Sequence, residues 1–177
     1  MQAIIALGNP GKNYEKTRHN AGFIILTALT ESQHWGSFGL EKKFESEIIE
    51  ISIRSEKIII AKPKTFMNRS GEAVKKIMAF YKIPPEGITI IHDDLDIPLG
   101  QFKISNDSSA AGHNGVQDIF DNLGTQKIKR LRIGIEGNER KKERVISGSD
   151  FVLQNFSEDE LRVVKNLTED IRKALEL

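Results

Sequence analysis

The chain has 177 residues and a formal net charge of +1 at pH 7, with 38% hydrophobic and 29% charged residues. This composition is typical of a single globular domain that folds without help, and it excludes an intrinsically disordered chain. The absence of cysteine excludes a thiol nucleophile, a disulfide framework and a cysteine-ligated zinc site, so any catalysis must use oxygen or nitrogen groups.

No targeting or membrane-spanning segment is predicted. The first residues form only a short apolar run without a basic leader, and no later apolar run approaches about 18 residues. We therefore expect a cytoplasmic location and no membrane association. We also expect a monomer without an obligate protein partner. The basic run at 139–144 leaves a local nucleic-acid contact possible despite the small net charge.

Strand and helix patterns alternate through the first half of the chain, without repeats or linkers. In chain order, the predicted elements are a strand over 2–7, a tight turn at 8–11, a helix over 21–33 that Asn20 can cap, a hairpin of strands 46–53 and 57–62, and a helix over 74–81 that begins after Asn68 and is ended by Pro84 and Pro85.

The same alternation continues in the second half. The predicted elements are a buried strand over 88–91, a strand through Phe102 and Ile104, a helix over 116–123 closed by Gly124, a strand over 131–135, and a helix over 161–171 opened by a capping box of Ser157 and Glu160. Interleaved strands and helices predict one α/β domain over 1–177, a mixed twisted sheet flanked by helices on both faces.

Polar residues follow the predicted strands and precede the predicted helices, where an open α/β sheet usually places its ligand crevice. Asn9 follows the first strand, His19 precedes the first helix, Asn68 begins the second, Asp93 ends a strand and Asn114 begins the third helix. We expect these five separated residues to converge.

Each of these residues also has a purely structural interpretation. The asparagines at helix starts could be N-caps, because Asn is among the preferred capping residues. Asn9 could be a turn residue, His19 an ordinary partly buried histidine, and Asp93 a carboxylate that merely ends a strand. The combination, however, favours chemistry, because a neutral imidazole can deprotonate water, a carboxylate can orient it and amides can hold an oxyanion.

Two other kinds of site are disfavoured by spacing. Residues 8–12 have neither of the glycine spacings of nucleotide-binding loops. Residues 92–96, together with His19 and His113, contain possible metal ligands but no recognised ligand spacing. We expect no metal and no cofactor, although metal-dependent hydrolysis remains an alternative.

Four blocks of the sequence resemble the bacterial-type peptidyl-tRNA hydrolase family in order and spacing, and RLRIGI at 130–135 is a weaker fifth block. The four blocks are LGNPGxxYxxTRHNxGF at 7–23, KPxTFMNxSG at 62–71, HDDLDxPxG at 92–100 and GHNG at 112–115. The resemblance implies a hydrolase that cuts the ester of peptidyl-tRNA with a histidine-activated water.

The resemblance also implies a role for particular residues. His19 is expected to be the general base and Asp93 to orient it, and Lys103 and Arg132 are expected to bind the 5′ phosphate of the tRNA. The residues expected to hold the peptide part, the water and the oxyanion, or to line the cleft around them, are Asn9, Tyr14, Phe66, Met67, Asn68, His113 and Asn114.

The sequence departs from the family at two places that concern the site. The residues at 105–111 replace a glycine-rich lid with a somewhat longer segment, and Glu136 adds a carboxylate near the expected phosphate site. A non-catalytic RNA-binding relative acting in intron splicing is the alternative function, which the presence of every expected catalytic residue disfavours.

Overall fold

The structure, a computed structural model, describes residues 1–137 and 146–177. In the described ranges the strands are β1 (Gln2–Ala6), β2 (Gly39–Glu41), β3 (Ser46–Ile53), β4 (Glu56–Pro63), β5 (Ile88–Pro98), β6 (Phe102–Ser105) and β7 (Lys129–Glu136). The α-helices are α1 (Ala21–Ser32), α2 (Ser70–Tyr81), α3 (Asn114–Leu123), α4 (Gly148–Val152), α5 (Glu158–Asn166) and α6 (Thr168–Ala174).

All seven strands form one mixed sheet in the order β2-β3-β4-β1-β5-β7-β6. The central strands β4, β1, β5 and β7 run parallel, whereas β2, β3 and β6 pair antiparallel at the two sides. Helices α1, α5 and α6 share a core with one face of the sheet, and α2 and α3 share a core with the other. The predicted mixed α/β sheet with helices on both faces is confirmed.

Gly22 allows α1 to begin directly against the sheet. A Cβ atom at this position would lie 2.6 Å from the carbonyl oxygen of Ile91 and 2.7 Å from that of Leu7. Leu7 also donates its backbone N–H to Ile91 (2.9 Å), so the ends of β1 and β5 meet at this point. The close approach fixes the start of α1, and therefore the residues just before it, at the carboxyl edge of the central strands.

Strand β5 is longer than predicted and changes the position of the expected orienting carboxylate. Asp93 does not end the strand, because β5 continues to Pro98 with an irregularity between Asp94 and Pro98. Pairing with β7 explains the extension, since Asp93 lies opposite Ile133 and Asp94 opposite Gly134, and pairing resumes at Pro98 opposite Glu136. Polar side chains are tolerated in this buried strand because hydrogen bonds satisfy them, as described below.

The predicted tight turn at 8–11 is wrong, because the described residues there form no hydrogen-bonded turn. Instead, the Asn20 side chain binds the backbone of Asn9 from both sides. Asn9 donates its N–H to Oδ1 of Asn20 (2.8 Å), and Nδ2 of Asn20 donates to the carbonyl of Asn9 (3.0 Å). Asn20 therefore supports the loop after β1 instead of capping α1.

Several helix boundaries also differ from prediction. The predicted capping box of Ser157 and Glu160 is confirmed, but the helix after it is divided into α5 and α6 around Leu167. Helix α2 begins earlier than predicted, at Ser70, and ends at Tyr81 as predicted. Lys82, which adopts a left-handed conformation and donates its N–H to Met78, ends it before the two prolines. Strand β2 and helix α4 had no pattern that predicted them.

No helix in the described ranges is both long and apolar enough to cross a bilayer. The basic run at 139–144, which the sequence suggested as a nucleic-acid contact, lies outside the described residues.

Candidate active site

His19 lies in a 3₁₀ turn, Arg18–Asn20, that leads into α1, and the chain holds this turn from both sides. Arg18 donates its backbone N–H to Gln154 (2.9 Å), and its guanidinium binds both carboxylate oxygens of Glu160 in α5 (2.8 and 2.9 Å). The same guanidinium lies 4.4 Å from the ring centroid of Phe151. His19 is thus placed by contacts that do not involve its own side chain.

The imidazole of His19 is oriented by Asp93. Its Nδ1 lies 2.9 Å from Oδ1 of Asp93, whose side chain is only 2% exposed. A carboxylate can only accept, so Nδ1 carries the proton and donates it to Asp93. The lone pair of neutral His19 is therefore on Nε2, and this nitrogen is available to a ligand.

His113 binds the same carboxylate oxygen. Its Nε2 lies 3.0 Å from Oδ1 of Asp93, while its Nδ1 accepts the backbone N–H of Val116 (3.3 Å). His113, not Asn114, is therefore the residue that caps α3. Both nitrogens of His113 form hydrogen bonds within the protein, so His113 can contact a substrate only through the face or the carbon edge of its ring.

Asp93 carries a negative charge throughout the neutral range. Burial alone would raise the pKa of Asp93, but the imidazoles of His19 and His113 beside it outweigh burial and hold the pKa below its usual range. One ionised carboxylate thus fixes the tautomers of two histidines at once.

A cleft of about 310 Å³ opens beside these residues. Among the predicted site residues it brings together His19, Asp93, His113 and Asn114, and the other lining residues are Asp94, Leu95, Ala110, Ala111, Gly112, Gly148, Ser149 and Val152. Asn114 is exposed at the start of α3, where its amide is available to a ligand. The wall contributed by 110–112 belongs to the segment between β6 and α3.

Asn9 is buried and joins the loop after β1 to the turn before α2. Its Oδ1 accepts the backbone N–H of Met67 at 2.9 Å, which leaves Nδ2 as its remaining donor. Asn68, the next residue, is exposed. Asn9 also lines a second cavity, of about 420 Å³, that extends along α1 to Lys62 and Lys165.

Tyr14 and Phe66 form an edge-to-face pair with ring centroids 6.4 Å apart, and Phe66 is 54% exposed. Met67 is buried, and Gly115 lies directly against it, since a Cβ at position 115 would lie 2.5 Å from its sulfur and 3.0 Å from its carbonyl oxygen. Met67 therefore joins the turn before α2 to the start of α3. Direct contact of these three residues with a substrate stays a prediction.

The predicted phosphate-binding pair lies on neighbouring antiparallel strands. Lys103 of β6 is directly opposite Arg132 of β7, which places the two side chains on one face of the sheet. Lys103 is exposed, whereas Nε of Arg132 donates to Oδ2 of Asp94 at 2.8 Å. Glu136 lies four residues farther along β7, opposite Pro98, so the added carboxylate is two side-chain repeats away from Arg132 on the same face of the strand.

His19, Asp93 and His113 are the one group of possible metal ligands found among the described residues, with the ligand atoms within 4.8 Å of one another. The nitrogens that face Asp93 already donate to it. A metal there would have to displace two N–H protons and force His113 out of the tautomer that caps α3. The hydrogen-bonded arrangement thus fits proton transfer better than metal binding.

Comparison with known proteins identifies the same family over nearly the whole chain. A sequence model of the family described as Peptidyl-tRNA hydrolase matches residues 3–177. The peptidyl-tRNA hydrolase of Mycoplasma mycoides is 47% identical over 93% of this chain and 86% of its own length, and that of Brevibacillus brevis 43% identical over 88% and 79%. The chain belongs to the peptidyl-tRNA hydrolase family.

A solved peptidyl-tRNA hydrolase structure, from Acinetobacter baumannii, has the same fold. It matches with a TM-score of 0.86 at 32% identity, covering all of this chain and 87% of that one. The chain is therefore a hydrolase of translation, as the resemblance implied, and none of these relatives supports the splicing alternative.

One buried residue of this peptidyl-tRNA hydrolase was given no role by the sequence analysis, although it begins the fifth block. Arg130 of β7 is 1% exposed and lies between His92 and the 105–111 segment. A basic residue in a strand with alternating apolar residues is usually predicted to be exposed. The structure instead places the Arg130 side chain on the face of the sheet that α3 covers, with its guanidinium 5.5 Å from the ring centroid of Phe120.

Proposed function

We propose that this chain hydrolyses the ester bond of peptidyl-tRNA by a water molecule that His19 activates. The observation that carries the proposal is the hydrogen bond from Nδ1 of His19 to buried Asp93, which leaves Nε2 as an acceptor at the cleft. Family membership supports the reaction, and this geometry supports the assignment of its general base.

The proposed reaction has two proton transfers. Nε2 of His19 takes a proton from water as the water oxygen attacks the ester carbonyl, and ionised Asp93 stabilises the imidazolium that forms. The imidazolium then gives the proton to the ribose oxygen as the carbon–oxygen bond breaks, which releases the peptide and regenerates neutral His19. The amides of Asn9, Asn68 and Asn114 are the proposed donors to the water and the developing oxyanion.

Neutral amide partners also suggest which substrates are accepted. A blocked α-nitrogen can share hydrogen bonds with Asn9, Asn68 and Asn114, whereas a charged amine would lose hydration without gaining a counter-charge. We propose that N-blocked aminoacyl-tRNA is cleaved and free aminoacyl-tRNA is spared. The enzyme is proposed to act in the cytoplasm as a single-domain monomer that recycles tRNA.

Turnover of N-acetylaminoacyl-tRNA is expected to continue at full rate in excess chelator, because the ligand atoms of the site are hydrogen-bonded to one another. The measurement is release of the acetylated amino acid, with free aminoacyl-tRNA as the matched substrate. Loss of turnover on chelation would contradict the metal-free mechanism. Equal cleavage of the two substrates would contradict the selectivity.

We propose that Lys103 and Arg132 hold the 5′ phosphate of the tRNA, since two adjacent cations bind phosphate without reading bases. Lys103→Ala is expected to raise KM about tenfold with little change in kcat, as one charge-assisted contact contributes roughly 1.5 kcal/mol. The effect should vanish with a substrate that lacks the 5′ phosphate. Lys75→Ala, which removes an exposed lysine of α2, is the control and should change neither constant.

A further inference from the structure

Arg130 is a cation in an unusually closed environment. Its side chain starts from β7, at a position opposite Ser105 on β6, and ends under the 105–111 segment. One terminal nitrogen, Nη2, donates to the main-chain carbonyls of Ser108 and Ser109, both at 2.8 Å, and to the hydroxyl of Ser108. The other, Nη1, lies 3.3 Å from Nε2 of His92. The guanidinium therefore joins a wall of the cleft to a histidine inside the sheet.

His92 connects this cation to the orienting carboxylate. The ring is 1% exposed, and its Nδ1 lies 2.7 Å from the main-chain carbonyl oxygen of Asp93. The ring of His113 packs against it edge-on, with centroids 4.7 Å apart. His92 thus touches the peptide group of the residue whose side chain binds His19.

The contacts of His92 determine which nitrogen carries its proton. A guanidinium can only donate, so Nε2 must present its lone pair to Arg130, and the carbonyl of Asp93 can only accept, so Nδ1 must carry the hydrogen. Burial first, and then the neighbouring His113 and Arg130, lower the pKa of His92 well below its ordinary value, so the ring is neutral. The hydrogen bond from Nδ1 to the Asp93 carbonyl favours this tautomer by itself, and Arg130 adds the donor that binds the lone pair of Nε2 and holds the ring in place.

We infer that Arg130 is a positioning residue for the hydrolysis, and that it acts by holding the His92 ring where Nδ1 donates to the peptide carbonyl of Asp93. If the ring turned away, that carbonyl would lose the donor 2.7 Å from it, and the peptide group would be less constrained against rotation. Rotation would move the side chain that holds both His19 and His113. Errors of about 1 Å in such a site reduce rates by as much as 10²-fold.

The same contacts couple the cleft wall to the site. Ser108 and Ser109, which hold Arg130, directly precede Ala110 and Ala111 of the cleft lining. A displacement of this segment would therefore move the guanidinium, and so withdraw the donor from His92. The inference rests on the proposed function, because it concerns the orientation of the proposed general base.

The first experiment reads the tautomer directly by ¹⁵N NMR of the imidazole rings at neutral pH. Wild-type His92 is expected to give the pattern of a neutral ring that is protonated at Nδ1 and accepts a hydrogen bond at Nε2. In Arg130→Met the Nε2 resonance is expected to move to the position of a nitrogen without a donor, while Nδ1 stays protonated, and an unchanged Nε2 resonance would contradict the inference. A wild-type ring that is protonated at Nε2, or charged, would overturn the inference. This result needs no activity, so it is independent of whether the proposed function is correct.

The second experiment is a double-mutant cycle on kcat with N-acetylaminoacyl-tRNA. Arg130→Met is expected to lower kcat about tenfold with KM changed less than twofold. His92→Asn places an amide N–H at the position of Nδ1 but has no atom in place of Nε2 for Arg130 to bind, so Arg130→Met should have little further effect in that background. An equal tenfold loss in both backgrounds would mean that Arg130 only supports the fold, and would overturn the inference.

Two further variants serve as controls. Lys127→Met removes an exposed cation three residues before Arg130, so it should leave the His92 resonances and kcat unchanged. Arg130→Lys retains a donor and should recover part of the kcat lost in Arg130→Met. If Arg130→Met does not fold, the wild-type NMR result and the Lys variant still decide the question.

Discussion

His19→Ala is expected to lower kcat for N-acetylaminoacyl-tRNA by a factor of about 10² to 10⁴, the usual contribution of a general base. KM should change much less, because the substrate contacts proposed for the amides and the cations remain. The loss follows from the geometry: Nδ1 of His19 is bound to Asp93, so Nε2 is the nitrogen that can accept a proton from water. Initial rates with wild-type and variant protein over a range of substrate concentrations measure both constants.

The matched control is another histidine. His34 is exposed after α1 and adopts a left-handed backbone conformation with φ of 53°, which asparagine tolerates well. His34→Asn should retain full activity. A well-folded His19→Ala protein with more than a tenth of the wild-type kcat would exclude His19 as the base.

Asp93→Asn is expected to lower kcat about 10²-fold, and Asp93→Ala to lower it more. Both histidines bind the same oxygen, Oδ1, so an asparagine can keep that oxygen as the acceptor for both and lose only the charge that stabilises the imidazolium. Alanine removes the acceptor and leaves two largely buried N–H groups without a partner. Kinetic constants for the two variants therefore separate the contribution of charge from that of orientation.

Thermal unfolding of the same variants provides a second measurement. Asp93→Ala should destabilise the fold by about 2–4 kcal/mol, because an unsatisfied buried donor costs about 1–3 kcal/mol. The pKa of Asp93 is lower in the folded protein than in the unfolded chain, so its charge stabilises the fold above the ordinary pKa of about 3.9. The stability advantage of wild type over Asp93→Asn should be full near neutrality and decrease as the pH falls below that value. Equal kcat values for Asp93→Asn and Asp93→Ala would contradict the interpretation that both histidines bind one oxygen of Asp93.

Much of the fold was predictable because its local signals were strong. Apolar spacing and flanking residues gave every strand except β2, and Gly124 and the pair of Ser157 and Glu160 marked helix ends that the structure confirms. Strand β2 was missed because all its residues are exposed and only its pairing with β3 makes it a strand. Helix α4 has 5 residues, which is too short for the spacing of apolar residues that identifies longer helices.

Part of the expected convergence was predictable, but the connections between the residues were not. His19 and Asn114 stand just before or at the start of predicted helices, and Asp93 follows a predicted buried strand; these three residues line one cleft, whereas Asn9 lines another cavity. The sequence could not indicate that Asn20 binds the backbone of Asn9 instead of capping a helix, since both uses require the same residue type. Nor could it show that Arg130 is buried, because hydrogen bonds to carbonyls distant in sequence make that burial possible.

The ion pair between Arg18 and Glu160 affects when the site can form during protein synthesis. A chain emerging from the ribosome presents the turn with His19 early, but Glu160 and Gln154, which hold that turn, come much later. Strand β7 also enters the sheet between β5 and β6, after both have been made. While it is still being translated, this protein is itself a peptide esterified to tRNA, the kind of molecule that its family cleaves. The late arrival of these supports means that the site is incomplete during most of that period.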